Sequence, residues 1–373
     1  YSMIYLDNNA MTPPERGLLE FLQKTFLIEG TYANPSSVHQ LGKKSRQLVL
    51  EASHWMQKVL SFQGRVLYTS GATESLNLAI ASLPKDSHVI TSGSEHPAIL
   101  EPLKHSSLSV SYLNPEEGRC VLTIEQIERA VTPKTSAIIL GWVNSETGAK
   151  ADIAAIAHFA QERQLQFIVD ATANVGKERI VLPSGVTMAA FSGHKFHALS
   201  GIGALLVSPG VKLHPQLWGG GQQGGLRAGT ENLWGIASLL YIFKYLDLHQ
   251  ERISQEILTH RNGFEKAIKA RIPDVHIHCA DQPRANNVSA IAFPPLEGEV
   301  LQIALDIEGV ACGYGSACSS GATAPFKSLV SMGVDEELTL ATLRFSFSHL
   351  LLQEDVERAV GIIEKVVERL KNS

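Results

Sequence analysis

The chain contains no apolar run long enough to cross a bilayer. Its most apolar stretch, 188–211, is broken by His194, Lys195 and His197. Charge is modest: 18% of the 373 residues are charged and the formal net charge is -5. No basic run marks a nucleic-acid groove, so neither a membrane nor a nucleic acid is an expected partner. Cysteine is scarce. The four copies, Cys120, Cys279, Cys312 and Cys318, follow neither zinc-ligand spacing nor a disulfide framework. Cys120 and Cys279 are therefore expected as inert, partly buried thiols, and no metal is expected. There is no repeat, no low-complexity segment and no basic-then-apolar leader. Tyr1-Ser2 ahead of Met3 reads as the remnant of an expression tag, with the native chain starting at Met3. The cytoplasm is the expected compartment.

What is present is apolar and periodic. Hydrophobic residues make up 44% of the chain, enough for a large core and two domains. From 65 to 207, strand-like apolar segments alternate with amphipathic helical ones, which predicts an α/β fold with an open, mainly parallel sheet. Polar residues recur just beyond the strand ends: Thr73, His96, Asn144, Asp170 and Lys195. In open α/β sheets the ligand crevice lies there.

Individual motifs are less decisive. The turn Ser70-Gly71-Ala72-Thr73-Glu74 between strand and helix suits a phosphate on free backbone N–H groups. It suits a helix cap equally well, and it lacks the dense glycines of a P-loop. Phe191-Ser192-Gly193-His194-Lys195 places a lysine in an apolar, glycine-bearing setting. A lysine held so can form a Schiff base with a carbonyl compound. The stretch 218–232 is dense in glycine, which permits close backbone approach to a polar ligand or a partner subunit. Helices are expected at 233–248 and 251–271. Beyond 273 the texture changes to a smaller α+β unit, with a half-buried or edge strand at 342–347. The tract around Cys318 is an odd place for a structural cysteine.

Together these motifs resemble the class V aminotransferase superfamily, and within it the NifS/IscS-type cysteine desulfurases. The matching segments are Tyr5-Leu6-Asp7-Asn8-Asn9-Ala10, Asn34-Pro35-Ser36-Ser37-Val38-His39, Thr69-Ser70-Gly71-Ala72-Thr73-Glu74-Ser75, Glu95-His96, Val169-Asp170-Ala171-Thr172, Ser192-Gly193-His194-Lys195, Gly229-Thr230-Glu231-Asn232 and Gly315-Ser316-Ala317-Cys318-Ser319-Ser320-Gly321. They occur in the family's order over essentially the whole chain.

The resemblance implies an aspartate-aminotransferase-like fold. A large domain at 13–250 would hold a seven-stranded sheet, and a small α+β domain would comprise 1–12 and 251–373. It implies pyridoxal 5'-phosphate as cofactor, L-cysteine as substrate, a protein sulfur acceptor, and a homodimer with shared active sites. It assigns Lys195, Cys318 and His96 to catalysis. Gly71, Ala72, Thr73, His96, Asn144, Asp170, Ser192, His194, Lys195 and Thr230 would bind the cofactor, Thr230 reaching in from the other subunit. Asn144 and Arg344 would bind the substrate, Arg344 through its bidentate fork. The implied reaction converts L-cysteine to L-alanine and leaves a persulfide on Cys318, for iron–sulfur cluster or other sulfur-compound biosynthesis. Departures from the pattern are Met11, Ser145, Ala173 where the family has glutamine, and the tract 197–200. A related transaminase or lyase and a non-catalytic scaffold are the competing readings. The missing glutamine leaves Asn174 or a water to contact the cofactor's phenolic oxygen.

Overall fold

The computed structural model describes residues 3–317 and 323–372. The first half runs β1 (Ile4–Tyr5), α1 (Leu18–Gln23), α2 (Gln40–Val59), β2 (Arg65–Thr69), α3 (Ala72–Ala81), β3 (His88–Ser92), α4 (Pro97–Lys104), β4 (Ser109–Leu113), α5 (Ile124–Ala130), β5 (Thr135–Gly141), α6 (Ile153–Glu162), β6 (Gln166–Asp170), β7 (Met188–Ser192) and β8 (Gly203–Val207). The second half adds α7 (Leu233–Arg271), β9 (His276–Ile277), β10 (Val288–Ala292), α8 (Gly298–Ile307), β11 (Val310–Ala311), β12 (Ser316–Ala317), β13 (Thr323–Ala324), α9 (Lys327–Ser331), α10 (Glu336–Leu340), β14 (Thr342–Ser346) and α11 (Gln353–Lys371).

Strands β2 to β8 form a seven-stranded sheet in the order β2-β8-β7-β6-β5-β3-β4. Every neighbouring pair is parallel except the two that include β8. The expected α/β architecture is present. Both faces are covered, which is why the strands read as continuous apolar runs. The side-chain period of two sends Phe167, Val169 and Phe191 into one core and Ile168, Met188 and Ala190 into the other. Because β8 alone is reversed, the C-terminal ends of β2, β3, β5, β6 and β7 share one edge, and β8 begins there. Gly203 is required at that start. A Cβ on it would lie 2.6 Å from the Gly71 Cα and 2.5 Å from the Phe191 carbonyl oxygen.

A second, antiparallel sheet has the order β14-β10-β9. Strand β14 lies at its edge, as the alternation predicts, yet Thr342, Leu343, Phe345 and Ser346 are all buried. Strand β1 pairs with β11, so the two ends of the chain meet.

Two local expectations need correction. The helices read separately at 233–248 and 251–271 are one helix of 39 residues, α7. The polar run Asp247 to Arg252 contains no glycine or proline, so the helix passes through it with one face in solvent. Cys120 and Cys279 are not inert separate thiols. They form a disulfide, with Cα atoms 6.2 Å apart at a sequence separation of 159. The fold brings the loop after β4 against the turn after β9. Gln282 braces the junction: it accepts from the Cys120 N–H at 2.9 Å and donates to the Gly118 carbonyl at 2.8 Å. Cys312 is a free thiol, buried, with its pKa pushed up by desolvation. Among the described residues no helix is long and apolar enough to cross a membrane, and no His, Cys, Asp and Glu group could hold a metal ion.

Candidate active site

Lys195 closes a 3-10 turn, Gly193–Lys195, directly after β7. Its Nζ donates to the Asn9 and Ala10 carbonyls at 2.8 and 2.9 Å. Desolvation, with the Arg344 charge adding to it, lowers its pKa to about 8; Asp170 and Asp7 oppose the shift. About a tenth of the amine is then neutral at pH 7, far more than for an ordinary lysine, and the neutral form is what a nucleophilic amine requires.

The neighbouring strand ends supply the rest. Asp170 is the last residue of β6, and its Oδ1 accepts from the Thr172 N–H at 3.0 Å and from the Thr172 hydroxyl. His96 is the N-cap of α4, with Pro97 at the first helical position, and its Nδ1 accepts from the Ala98 N–H at 3.0 Å. Desolvation lowers its pKa, Lys195 adds to this and Asp170 opposes it. The His96 ring is thus neutral at pH 7 and lies within electrostatic reach of both. Glu95, beside it, carries a carboxyl raised to about 8 by burial and by Asp170, although the Gly141 N–H donates to it.

Helix α3 begins at Gly71 with no side-chain cap. The hydroxyl-cap alternative for Ser70 or Thr73 is therefore not what the structure adopts. The Ser192 hydroxyl accepts from the Ala72 N–H at 2.7 Å, and Thr73 is exposed. Gly71, Ala72 and Ser192 thus meet at one helix start, with Thr73 in its first turn and His194 two residues beyond Ser192. The pKa of His194 is lowered by burial and by Lys195 and Lys177.

Arg344 projects from β14. It pairs with Asp7 at 3.0 Å and donates to the Ser145 carbonyl at 3.1 Å, while its buried Nε has no partner among the described residues. Asn144 is committed to its own turn. Its Oδ1 accepts from the Glu146 and Thr147 N–H groups at 3.0 and 2.9 Å, and its Nδ2 donates to the Ser328 hydroxyl at 2.7 Å. The Glu146 carboxylate in turn accepts from the Ser328 N–H at 2.7 Å. Thr230 lies exposed on the glycine-rich loop, outside this group. Cys318 lies outside the described residues; the segments that flank it pair as β12 and β13. Asn174, beside Ala173, is fully buried with neither amide atom bonded.

Some residues at this site were not foreseen in their roles. Asp7, Asn9 and Ala10 hold the two cationic groups. Their motif, Asp7-Asn8-Asn9-Ala10, was visible, but not what it touches. Lys177 is buried and donates to the Lys195 carbonyl. Its pKa falls to about 7 by desolvation and by the Lys195 charge. A lysine in a loop carries no sequence signal for this.

The geometry has parallels in known proteins. The aminotransferase class-V family model matches residues 4–359. This chain belongs to the class V aminotransferase family. It is 32% identical to the cysteine desulfurase IscS of Dictyoglomus turgidum, over 99% of this chain and 95% of that protein. It is 33% identical to cysteine desulfurase 1 of Trichormus variabilis, over 99% and 94%. Among solved structures, a NifS-like protein superposes with a TM-score of 0.89 at 26% identity, covering 98% of this chain and 100% of that one. SspA in complex with cysteine gives a TM-score of 0.80 at 27% identity, over 93% and 99%. The NifS/IscS resemblance read from the motifs is borne out.

Proposed function

We propose that this protein is a cysteine desulfurase that uses pyridoxal 5'-phosphate. The observation that carries the reading is the convergence of Lys195, Asp170 and His96 at one sheet edge with Arg344 from the second sheet, in a chain similar to cysteine desulfurases over its full length. The site suits the cofactor. A helix start with glycine at its N-cap, Thr73 in its first turn and Ser192 against its first N–H fits a phosphate, with His194 as a further donor. Asp170 fits a pyridinium N–H, and Lys195 an aldehyde. The group, when bound, supplies an electron-withdrawing ring that stabilises negative charge at the substrate Cα.

The residues do the rest. Arg344 clamps the substrate carboxylate. The Lys195 amine takes the Cα proton, with His96 covering the ring face. The Cys318 thiolate attacks the substrate sulfur as the Cβ–S bond breaks, Cβ gains a proton, and Lys195 returns a proton to Cα. L-Cysteine plus the Cys318 thiol thus become L-alanine plus a Cys318 persulfide, with atoms in balance. Asn144 enters this scheme at the substrate side only by releasing Ser328.

A homodimer with Thr230 entering the partner's phosphate site is supported by apolar exposure. Leu27, Ile28, Val38 and Trp218 are 71, 75, 84 and 83% exposed, apolar surface that a partner subunit would cover. Ile303 and Ile307 on α8 are 56 and 77% exposed. On that helix Gln302 donates to the Cys312 carbonyl at 2.8 Å, in the segment that leads to β12. An acceptor protein taking sulfur for iron–sulfur clusters or other compounds would find an apolar surface there. The two domains are taken as 13–250, and 1–12 with 251–373. A cytoplasmic site of action accords with intracellular acceptors.

The test is incubation of purified protein with pyridoxal phosphate and L-cysteine, assaying alanine and sulfide together. Both should form in step, with a persulfide on Cys318. Turnover of another amino acid with Cys318 inert would favour a transaminase or lyase. Failure to take up cofactor at all would favour a scaffold.

A further inference from the structure

Two residues beyond Lys195, His197 opens a buried polar cluster drawn from three distant segments. Its Nδ1 lies 2.7 Å from the Pro13 carbonyl and its Nε2 lies 3.1 Å from the Ser348 hydroxyl. A carbonyl only accepts, so Nδ1 carries the proton and Nε2 accepts from Ser348. Its ring meets that of His349 edge-on at 4.8 Å. The His349 Nε2 lies 2.6 Å from a Glu15 carboxylate oxygen, their side chains being 5 and 2% exposed. The backbone closes the same junction. The His197 N–H donates to the Thr12 hydroxyl at 2.7 Å, and the Glu15 N–H to the His197 carbonyl at 3.0 Å. His197 adopts φ +73°, a conformation side chains other than glycine rarely take.

Burying such groups is unfavourable unless they are paired, and apolar residues would fill the space at lower cost. The placement gives a reason for them. Pro13 and Glu15 continue the segment whose Asn9 and Ala10 carbonyls hold Lys195. Ser348 and His349 continue β14, which carries Arg344. We propose that His197, His349 and Glu15 are positioning residues that fix Lys195 relative to Arg344, and hence set the separation between the amino-group and carboxylate subsites for an α-amino acid. The inference rests on the functional reading above for the identity of those two subsites.

The test compares His197→Leu and His349→Leu with His197→Asn and His349→Gln. The last two keep an N–H donor near the Nδ1 and Nε2 positions respectively. Each is prepared with pyridoxal phosphate and titrated with L-alanine, followed by the cofactor's visible absorbance, alongside kcat and KM for L-cysteine. The leucine variants should load cofactor, melt cooperatively, and show Kd for L-alanine and KM for L-cysteine raised by about tenfold. Asparagine and glutamine should restore both to within about threefold of wild type. Unchanged Kd in the leucine variants, or no restoration, would overturn the inference. If the leucine variants do not fold, Glu15→Gln decides. It keeps an acceptor but removes the carboxylate that faces His349; a rise in Kd of more than about twofold supports the inference and a value within about twofold of wild type sinks it. Wild type that binds L-alanine but makes none from L-cysteine would fail the desulfurase reading while leaving this comparison valid.

Discussion

At the scale of single residues, the site turns on the protonation of Lys195. Its amine is held near pH 8, and addition to an aldehyde needs the neutral form. Uptake of pyridoxal phosphate by the apo-protein should therefore quicken as pH rises through about 8 and level off above it. Stopped-flow absorbance checks this. Arg344 is one cause of the depression, so Arg344→Gln should move the midpoint upward. Lys195→Ala should abolish the covalent visible band, whereas Cys318→Ser should keep the band and lose persulfide formation, as mass spectrometry would read. Lys195 was legible because strand-end polar residues follow from the periodicity, whereas Arg344 and Cys318 were assigned by the family resemblance. Asn9 and Ala10 were not, because they act through backbone carbonyls, whose role no side chain announces. Nor was the saturation of Asn144 by its own turn.

At the scale of elements, the sheet and its helices were legible because strands buried on both faces have a plain sequence signature. Helix α7 was misread at its polar middle, where amphipathicity fades while propensity does not. Its Phe243 packs against Phe191 and Phe196, with ring centroids 5.7 and 5.6 Å apart, on either side of the lysine turn. Phe243→Ala should cost about 3–5 kcal/mol of stability, measurable by urea denaturation.

At the scale of the whole molecule, the Cys120–Cys279 disulfide joins the edge of the large sheet to the three-stranded one. Spacing could not reveal it, because its ends lie at a sequence separation of 159 and only the fold brings them together. Cys279→Ser should lower stability under non-reducing conditions by about 2–4 kcal/mol, and the difference should vanish when both proteins are measured with reductant. Non-reducing peptide mapping should recover the linked pair. Cytosolic disulfides are uncommon and often redox-responsive, so the compartment bears directly on whether this one persists.

The reversed strand β8 has a consequence for the order in which the site comes into being. It pairs with β7 through a short connection, so the turn bearing Lys195 is built from contacts close in sequence, which form early. The acceptors of its amine come from Asn9 and Ala10, and the clamp comes from Arg344, itself anchored on Asp7. During synthesis the lysine turn can fold while the clamp has yet to leave the ribosome. The first-made and nearly last-made segments must then find each other across it. A nascent chain stopped short of β14 would carry the lysine without the means to hold an amino acid in register, so the chemistry is withheld until translation is almost complete.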